Sequence, residues 1–146
     1  MAPPGRVKTW LAAAGLVLAV SIPASAADYA AEISGYRRAH GLSAVRADSK
    51  LSAVALKQAQ AMAASGSISH SAAGSFSSRV APLRKSRAAE NIAAGFLSFA
   101  ETLKQWEDSA GHRANLLMPG AKKVGVASVA NARSPYRMFW AMVITD

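Results

Sequence analysis

The chain contains no cysteine among its 146 residues. Disulfide bonds, zinc–thiolate sites, thiol catalysis and thiol redox chemistry are therefore excluded. The fold must be held by its hydrophobic core alone. One domain of this length, with a hydrophobic fraction of 51%, is sufficient for such a core.

The chain has a single long apolar run, and it lies near the start of the sequence. Arg6 and Lys8 precede the run Trp10–Val20, and the small residues Ala24-Ser25-Ala26 follow it. This order predicts a secretory signal peptide over residues 1–26 and a domain over residues 27–146. The alternative, a membrane anchor, is disfavoured because a spanning helix needs about 20 apolar residues. We therefore expect an exported protein, periplasmic or secreted, that meets the membrane only through an uncleaved signal segment.

Acidic residues are scarce. The sequence has 8 acidic and 17 basic residues, a formal charge of +9, and loss of Arg6 and Lys8 with the signal peptide lowers it to +7. A basic exported domain is attracted to acidic surfaces such as wall polymers and lipid headgroups, although the charge can also serve solubility alone. The cations are scattered apart from the cluster Arg84-Lys85-Ser86-Arg87. No nucleic-acid-binding motif accompanies them, so nucleic acid is not an expected partner.

Helical spacing and capping signals predict several helices. Asp48 as N-cap and Gly66 as left-handed C-terminal residue bound the clearest one. Ser98 and Glu101 form a capping box ahead of another, which ends near Asp108. The other predicted helical segments are Asp28–His40, a short turn within 76–81, and Ala110–Leu117 with Ser109 as its cap.

The last part of the chain changes to a strand pattern. Lys123–Ala130 and Tyr136–Ile144 are rich in valine and aromatic residues and are separated by turn residues, which predicts a hairpin. Both faces of the second strand are apolar. Such a strand needs cover above and below, which points to an α+β fold with helices on each face of a small sheet.

Three polar segments carry the residue types used in binding sites and catalysis: Ser69-His70-Ser71, Ala89-Glu90-Asn91-Ile92 and Ser109–Leu117. In their order and content they resemble the bacterial branch of the CAP superfamily, the cysteine-rich secretory, antigen 5 and pathogenesis-related proteins that contain an SCP domain. The closing pattern of that family is matched by Trp106, Ser109, His112, Arg113, Asn115, Leu116 and Leu117.

The resemblance implies a three-layer α-β-α sandwich with a shallow cleft where His70, Glu90 and His112 converge. In some relatives this group binds a divalent metal such as zinc or magnesium, and imidazole and carboxylate groups are ordinary zinc ligands. Asn91, Ser109 and Arg113 would adjoin the cleft. The disulfide-rich relatives have a second glutamate where this chain has Ser109, so the full donor set is incomplete unless Glu107 compensates.

Each of these residues also has a structural interpretation. The two histidines can bond to loop backbone, and Glu90 can cap a turn or neutralise Arg79 or Arg113. Ser109 is better explained as a helix cap than as a nucleophile, because no nucleophile-elbow sequence surrounds any serine. Asn91 and Asn115 are expected to satisfy buried backbone groups, Trp106 and Trp140 to lie in the core, and His40 to lie outside the site.

Three functions remain open from the sequence. The first is a binding module for a lipid, glycan or cell-wall ligand, with or without a metal. The second is a hydrolase in which His70 or His112, together with Glu90, activates water. The third is a structural or interaction protein whose cleft residues only maintain the fold.

Overall fold

The computed structural model describes residues 24–146. The predicted signal peptide lies outside this part of the chain except for its last three residues. The elements are, in chain order, α1 (Ala26–Ala39), β1 (Arg46–Ala47), α2 (Ser49–Ser65), α3 (Phe76–Val80), β2 (Ala88–Ala94), α4 (Phe99–Asp108), α5 (Ala110–Leu116), β3 (Lys123–Asn131) and β4 (Arg137–Thr145), with a 3-10 turn at Ala81–Leu83.

The four strands form one sheet in the order β1-β3-β4-β2. β3 and β4 are the predicted hairpin, and β2 pairs antiparallel with the other side of β4. The short β1 runs parallel to β3. β4 therefore lies between two strands and is hydrogen-bonded on both sides.

Helices cover both faces of this sheet. Trp140, Met142 and Ile144 of β4 pack with α1, α4 and α5, while Phe139, Ala141 and Val143 pack with α2. Side chains alternate between the two faces of a strand, so one apolar strand supplies both cores. The three-layer α-β-α sandwich predicted from the sequence is confirmed.

The predicted helix limits are largely those observed. The Asp48 carboxylate accepts hydrogen bonds from the backbone N–H groups of Lys50 and Leu51 at the start of α2. Gly66 ends α2 with φ of 69°, in the left-handed region that favours glycine. The Ser98–Glu101 capping box is present at the start of α4.

A buried arginine joins the end of α1 to the end of α5. Arg37 donates from Nη1 to the carbonyl oxygens of Leu116 and Met118, at 2.8 and 3.0 Å, and from Nε to that of Ser43 at 2.8 Å. Burial lowers the pKa of its guanidinium. These bonds hold α5, which carries His112, against the rest of its layer.

Two strands were not predicted from the sequence. β2 is rich in alanine and contains Glu90 and Asn91, residue types that are rare in strands. It is a strand because it pairs with β4 along its whole length, from Ala88 opposite Thr145 to Ala94 opposite Phe139. Tertiary pairing has overridden local preference, and it places Glu90 inside the sheet layer.

α2 lies unusually close to the sheet at Gly125 of β3. A Cβ atom at this position would lie 2.1 Å from the backbone nitrogen of Ser52 and 2.2 Å from the carbonyl carbon of Leu51. Only glycine permits this approach.

Between residues 24 and 146, no helix combines the length and apolar character that a membrane crossing requires.

Candidate functional site

Glu90 is the buried centre of the polar cluster. Its side chain, on β2, is only 2% exposed, and both carboxylate oxygens accept hydrogen bonds. Arg79 donates from Nη1 to Oε2 at 2.7 Å and from Nη2 to Oε1 at 3.0 Å. His70 Nδ1 lies 2.9 Å from Oε1. A carboxylate buried to this degree requires a partner charge, which Arg79 supplies.

Arg79 also fixes the loop that carries His70. Its Nη2 donates to the carbonyl oxygen of His70 at 2.9 Å, and its Nε to that of Gly74 at 3.1 Å. The guanidinium lies over the ring of Phe76, 5.4 Å from the centroid. From the other side, buried Gln58 of α2 donates to the carbonyl oxygen of Ser69 at 2.6 Å. A loop of small residues is thereby held by two buried polar side chains.

His112 lies on α5, across from His70. Its Nδ1 is buried and has no hydrogen-bond partner within the described residues. Burial, and secondarily the charge of His70, lower the pKa of His112 below its ordinary value of 6.5. Burial therefore favours the neutral form of this imidazole.

Two asparagines hold β2 against α5. Asn91 Nδ2 donates to the carbonyl oxygen of His112 at 3.0 Å. Asn115 Nδ2 donates to the carbonyl oxygen of Glu90 at 3.1 Å and to Asn91 Oδ1 at 2.8 Å. Both satisfy backbone groups, as the sequence interpretation expects. Asn91 is fully buried and belongs to this internal network, not to the wall of a cleft.

A cavity of about 390 Å³ opens beside the two histidines. Two of its lining residues, His112 and Gln105, each have a buried side-chain atom, Nδ1 and Oε1, that lacks a hydrogen-bond partner among residues 24–146. Unsatisfied buried polar atoms are costly, and here both belong to residues that line one cavity. Its walls are formed by Ile68, Ser69, His70, Ile92, Ala93, Ala94, Phe96, Gln105 and His112.

The structure brings some of the predicted site residues together and separates others. His70 and His112 line the cavity, and Glu90 lies beneath His70. Ser109 lines a neighbouring groove with Phe96 and Gln105. It is the N-cap residue of α5, as predicted, although its side chain makes no capping hydrogen bond.

Arg113 also lies away from the cavity. Its side chain is exposed and donates to the backbone carbonyl oxygen of Glu107 at 3.0 Å, so its role is local to the α4–α5 junction. The partner of Glu90 is Arg79, one of the two alternatives that the sequence left open. His40 is exposed at the end of α1 and bonds through Nδ1 to the Tyr36 carbonyl oxygen.

Sequence reasoning did not predict several residues that line the cavity, among them Gln105, Ile68 and Phe96. Gln105 precedes Trp106 and lies one helical turn before Ser109. Its position beside the family motif that starts at Trp106 could therefore have indicated a site residue. Ile68 is 44% exposed within a loop of small polar residues, and an isolated apolar residue there is a second signal. Phe96 lies two residues after the end of β2 and carried no such signal, because β2 was not predicted from the sequence.

The donor set does not fit a metal held by His70, Glu90 and His112. Both oxygens of Glu90 accept from Arg79, whose positive charge already offsets the carboxylate. Glu107 does not line the cavity. Within residues 24–146, no three histidine, aspartate or glutamate side chains are grouped so that they could hold a metal ion. The function proposed below is therefore derived without a metal.

A small α-β-α domain with a cavity at the edge of its sheet is the class of protein that this fold and site define. The family model described as "Cysteine-rich secretory protein family", CAP, matches residues 30–144. The chain belongs to the CAP family. No curated protein matches the sequence.

Solved structures of bacterial proteins share this fold. An outer surface protein of Borrelia burgdorferi superposes with a TM-score of 0.71 at 19% identity, covering 81% of this chain and 88% of that one. An extracellular SCP-domain protein of Bacillus anthracis gives 0.68 at 25% identity, with coverages of 80% and 38%. A cysteine-rich secretory protein of Staphylococcus aureus gives 0.63 at 16% identity, with 80% and 36%. The chain thus spans under two fifths of the last two proteins.

Proposed function

We propose that this CAP-domain protein is an exported binding module that holds a small, neutral ligand in the cavity beside His112. The observation that carries the proposal is that two residues lining one cavity, His112 and Gln105, each keep a buried polar atom without a partner among residues 24–146. A ligand group that donates and accepts hydrogen bonds would satisfy both once the two side chains rotate toward it. Such unmade bonds are expected where a ligand completes the network.

The other walls restrict the ligand further. Ile68, Ile92 and Phe96 offer apolar contact, and the cavity volume of about 390 Å³ lies within the range of small-molecule sites. Because burial favours the neutral form of His112, its side chain is better suited to a hydroxyl or amide than to an anionic group. A glycan or cell-wall fragment with N-acetyl or hydroxyl groups meets these requirements better than a lipid chain.

Export is part of the proposal. The solved structures that share the fold are described as outer surface, extracellular or secretory proteins. The predicted signal peptide and the basic composition agree with that location.

A hydrolytic function receives no support from the geometry. Glu90 is fully engaged by Arg79 and His70, so neither oxygen is free to take a proton from water. Ser69, the serine that lines the cavity, pairs its hydroxyl with that of Ser71 at 3.0 Å. We therefore retain binding as the function.

The experiment is a titration of the labelled domain with a panel of N-acetylated disaccharides and one short-chain lysophospholipid, followed by NMR. We expect an N-acetylated sugar to shift the signals of Gln105 and His112, and the double variant Gln105→Leu/His112→Phe to lose binding at least tenfold. The matched control, Gln60→Leu/His40→Phe, changes the same residue types on exposed surfaces. Equal affinity in both variants, or binding of none of the panel, would contradict the proposal.

A further inference from the structure

Seven basic side chains converge at one end of the sheet. Four strand ends meet there: β1, the start of β3, the end of β4 and the start of β2. Lys123 of β3 pairs with Arg46 of β1 and with Thr145 of β4, and Thr145 in turn pairs with Ala88 of β2. Lys50 lies in the first turn of α2, which follows β1. We call this surface the basic end; its cations are Arg46, Lys50, Arg84, Lys85, Arg87, Lys122 and Lys123.

The acidic side chains of the basic end are already engaged. Asp48 caps α2 and lies 3.4 Å from Lys123, and Asp146 accepts from the Ser86 hydroxyl and the backbone N–H of Arg87. Two carboxylates against seven cations leave a surplus of positive charge. All seven cations are exposed except Lys85, which is half-buried.

The basic end is concave. A cavity of about 530 Å³ is lined by Lys50, Lys85 and Lys123 together with Asp48, Ser49 and the turn that holds Pro82. Three lysines against the one carboxylate of Asp48 leave a surplus of positive charge, and a depression raises the resulting potential more than a flat surface would. A single anionic group could be contacted from several sides there.

Arg84 in the same turn has a strained backbone. Its φ and ψ are 51° and 48°, in the left-handed region that side chains other than glycine and asparagine rarely adopt. Arg137 at the start of β4 has a positive φ as well, so binding at the basic end is supported by its charge and concave shape and not by this strain.

We infer that the basic end binds a flexible polyanion with repeated phosphate groups. The four strand ends span about 14 Å at the usual strand spacing, so the cations extend beyond what one phosphate can contact. The site is separate from the cavity of His112, which lies near Ala94 at the far end of β2, about 20 Å away at the usual rise per residue.

Two other anionic partners fit the surface less well. A membrane is disfavoured because the exposed large apolar side chains of the described residues, Leu56, Ile68, Leu97 and Tyr136, all lie outside the basic end. Insertion into lipid would need such side chains. Nucleic acid is disfavoured because the basic end carries no aromatic residue on which a base could stack.

The test measures binding of long-chain inorganic polyphosphate to the domain. The variant Lys50→Gln/Lys85→Gln/Lys123→Gln is compared with Arg38→Gln/Lys104→Gln/Arg133→Gln, which removes three exposed cations elsewhere and so has the same net charge. We expect the first variant to bind at least tenfold more weakly than wild type and the second less than threefold. Wild-type affinity should fall steeply with salt, because bound counterions are released.

Three outcomes would overturn the inference. Equal losses in the two triple variants would mean that net charge alone attracts the polymer. Tighter binding of single-stranded DNA than of polyphosphate, at equal phosphate number, would make nucleic acid the partner. Binding to vesicles with acidic headgroups but not to polyphosphate would make it a membrane surface.

Discussion

Arg79 and Glu90 form a buried, bidentate ion pair. Each carboxylate oxygen accepts a hydrogen bond from a different guanidinium nitrogen, at 2.7 and 3.0 Å. The side chains are 8% and 2% exposed. The pair connects the α3 segment to β2 and, through the His70 carbonyl oxygen, to the loop at the mouth of the cavity. The Glu90 carboxylate, which the sequence suggested for catalysis or metal binding, instead stabilises the arrangement of the site by pairing with Arg79.

The variant Arg79→Met should be strongly destabilised. It leaves the buried charge of Glu90 with only the exposed His70 as a side-chain partner, and breaking a buried pair from one side costs about 3 to 5 kcal/mol. Urea denaturation measures the loss. The double variant Arg79→Met/Glu90→Gln, which removes both charges, should recover most of it, and exposed Arg133→Met should cost less than about 0.5 kcal/mol. Failure of the double variant to recover would show that the charges are not coupled.

Zinc should bind weakly or not at all to the wild-type domain. The carboxylate that the family resemblance assigns to the metal is already neutralised by Arg79. Titration calorimetry with zinc at pH 7 measures this directly, with His112→Ala as the comparison. Micromolar binding that disappears in that variant would restore the metal site and refute our interpretation of Glu90.

Acid should destabilise the domain through His112. Its folded pKa lies below the ordinary 6.5, so the unfolded chain binds a proton more readily than the folded one. The contribution of neutral His112 to the free energy of unfolding is therefore fully present above about pH 6.5 and is lost as the pH falls below it. Unfolding midpoints between pH 5 and 8 should show a shallower slope in His112→Gln. The slope of exposed His40→Gln should remain that of wild type, and identical slopes in all three would exclude His112 as the source.

The variant Gly125→Ala should lose stability because its methyl group collides with backbone, which cannot move aside as a side chain can. Overpacking of this kind typically costs about 1 to 3 kcal/mol, and a contact at 2.1 Å belongs at or above the upper end. Gly35→Ala is the matched control. Gly35 lies within α1 with no atom near its missing Cβ, so alanine should stabilise the protein by about 0.5 to 1 kcal/mol. Thermal unfolding distinguishes these opposite signs.

The elements predicted correctly are those whose signals are local. α2 has its cap at Asp48 and its stop at Gly66, and the alternating apolar residues of β4 are sufficient to require cover on both faces. β2 has no such local signal. It is a strand only because it pairs with β4, and such long-range pairing leaves no periodic hydrophobic pattern in the local sequence.

The candidate site was predictable only in part for the same reason. His70 and His112 carry the family resemblance and do line one cavity. Gln105 and Phe96 enter that cavity from α4 and from the segment after β2, and their convergence depends on how α4 packs against the sheet. The choice of Arg79 over Arg113 as the partner of Glu90 likewise depends on the loop path between α2 and α3.

The place of β4 in the sheet also bears on how this protein folds. Both β2 and β3 need β4 as a hydrogen-bonding partner, and β4 follows them in chain order. The pairing of β2 with β4 joins parts of the chain that α4, α5 and β3 separate in sequence, and such long-range contacts slow folding. We therefore expect this domain to fold more slowly than one of the same size built from local contacts, because its sheet is complete only when β4 has paired on both sides.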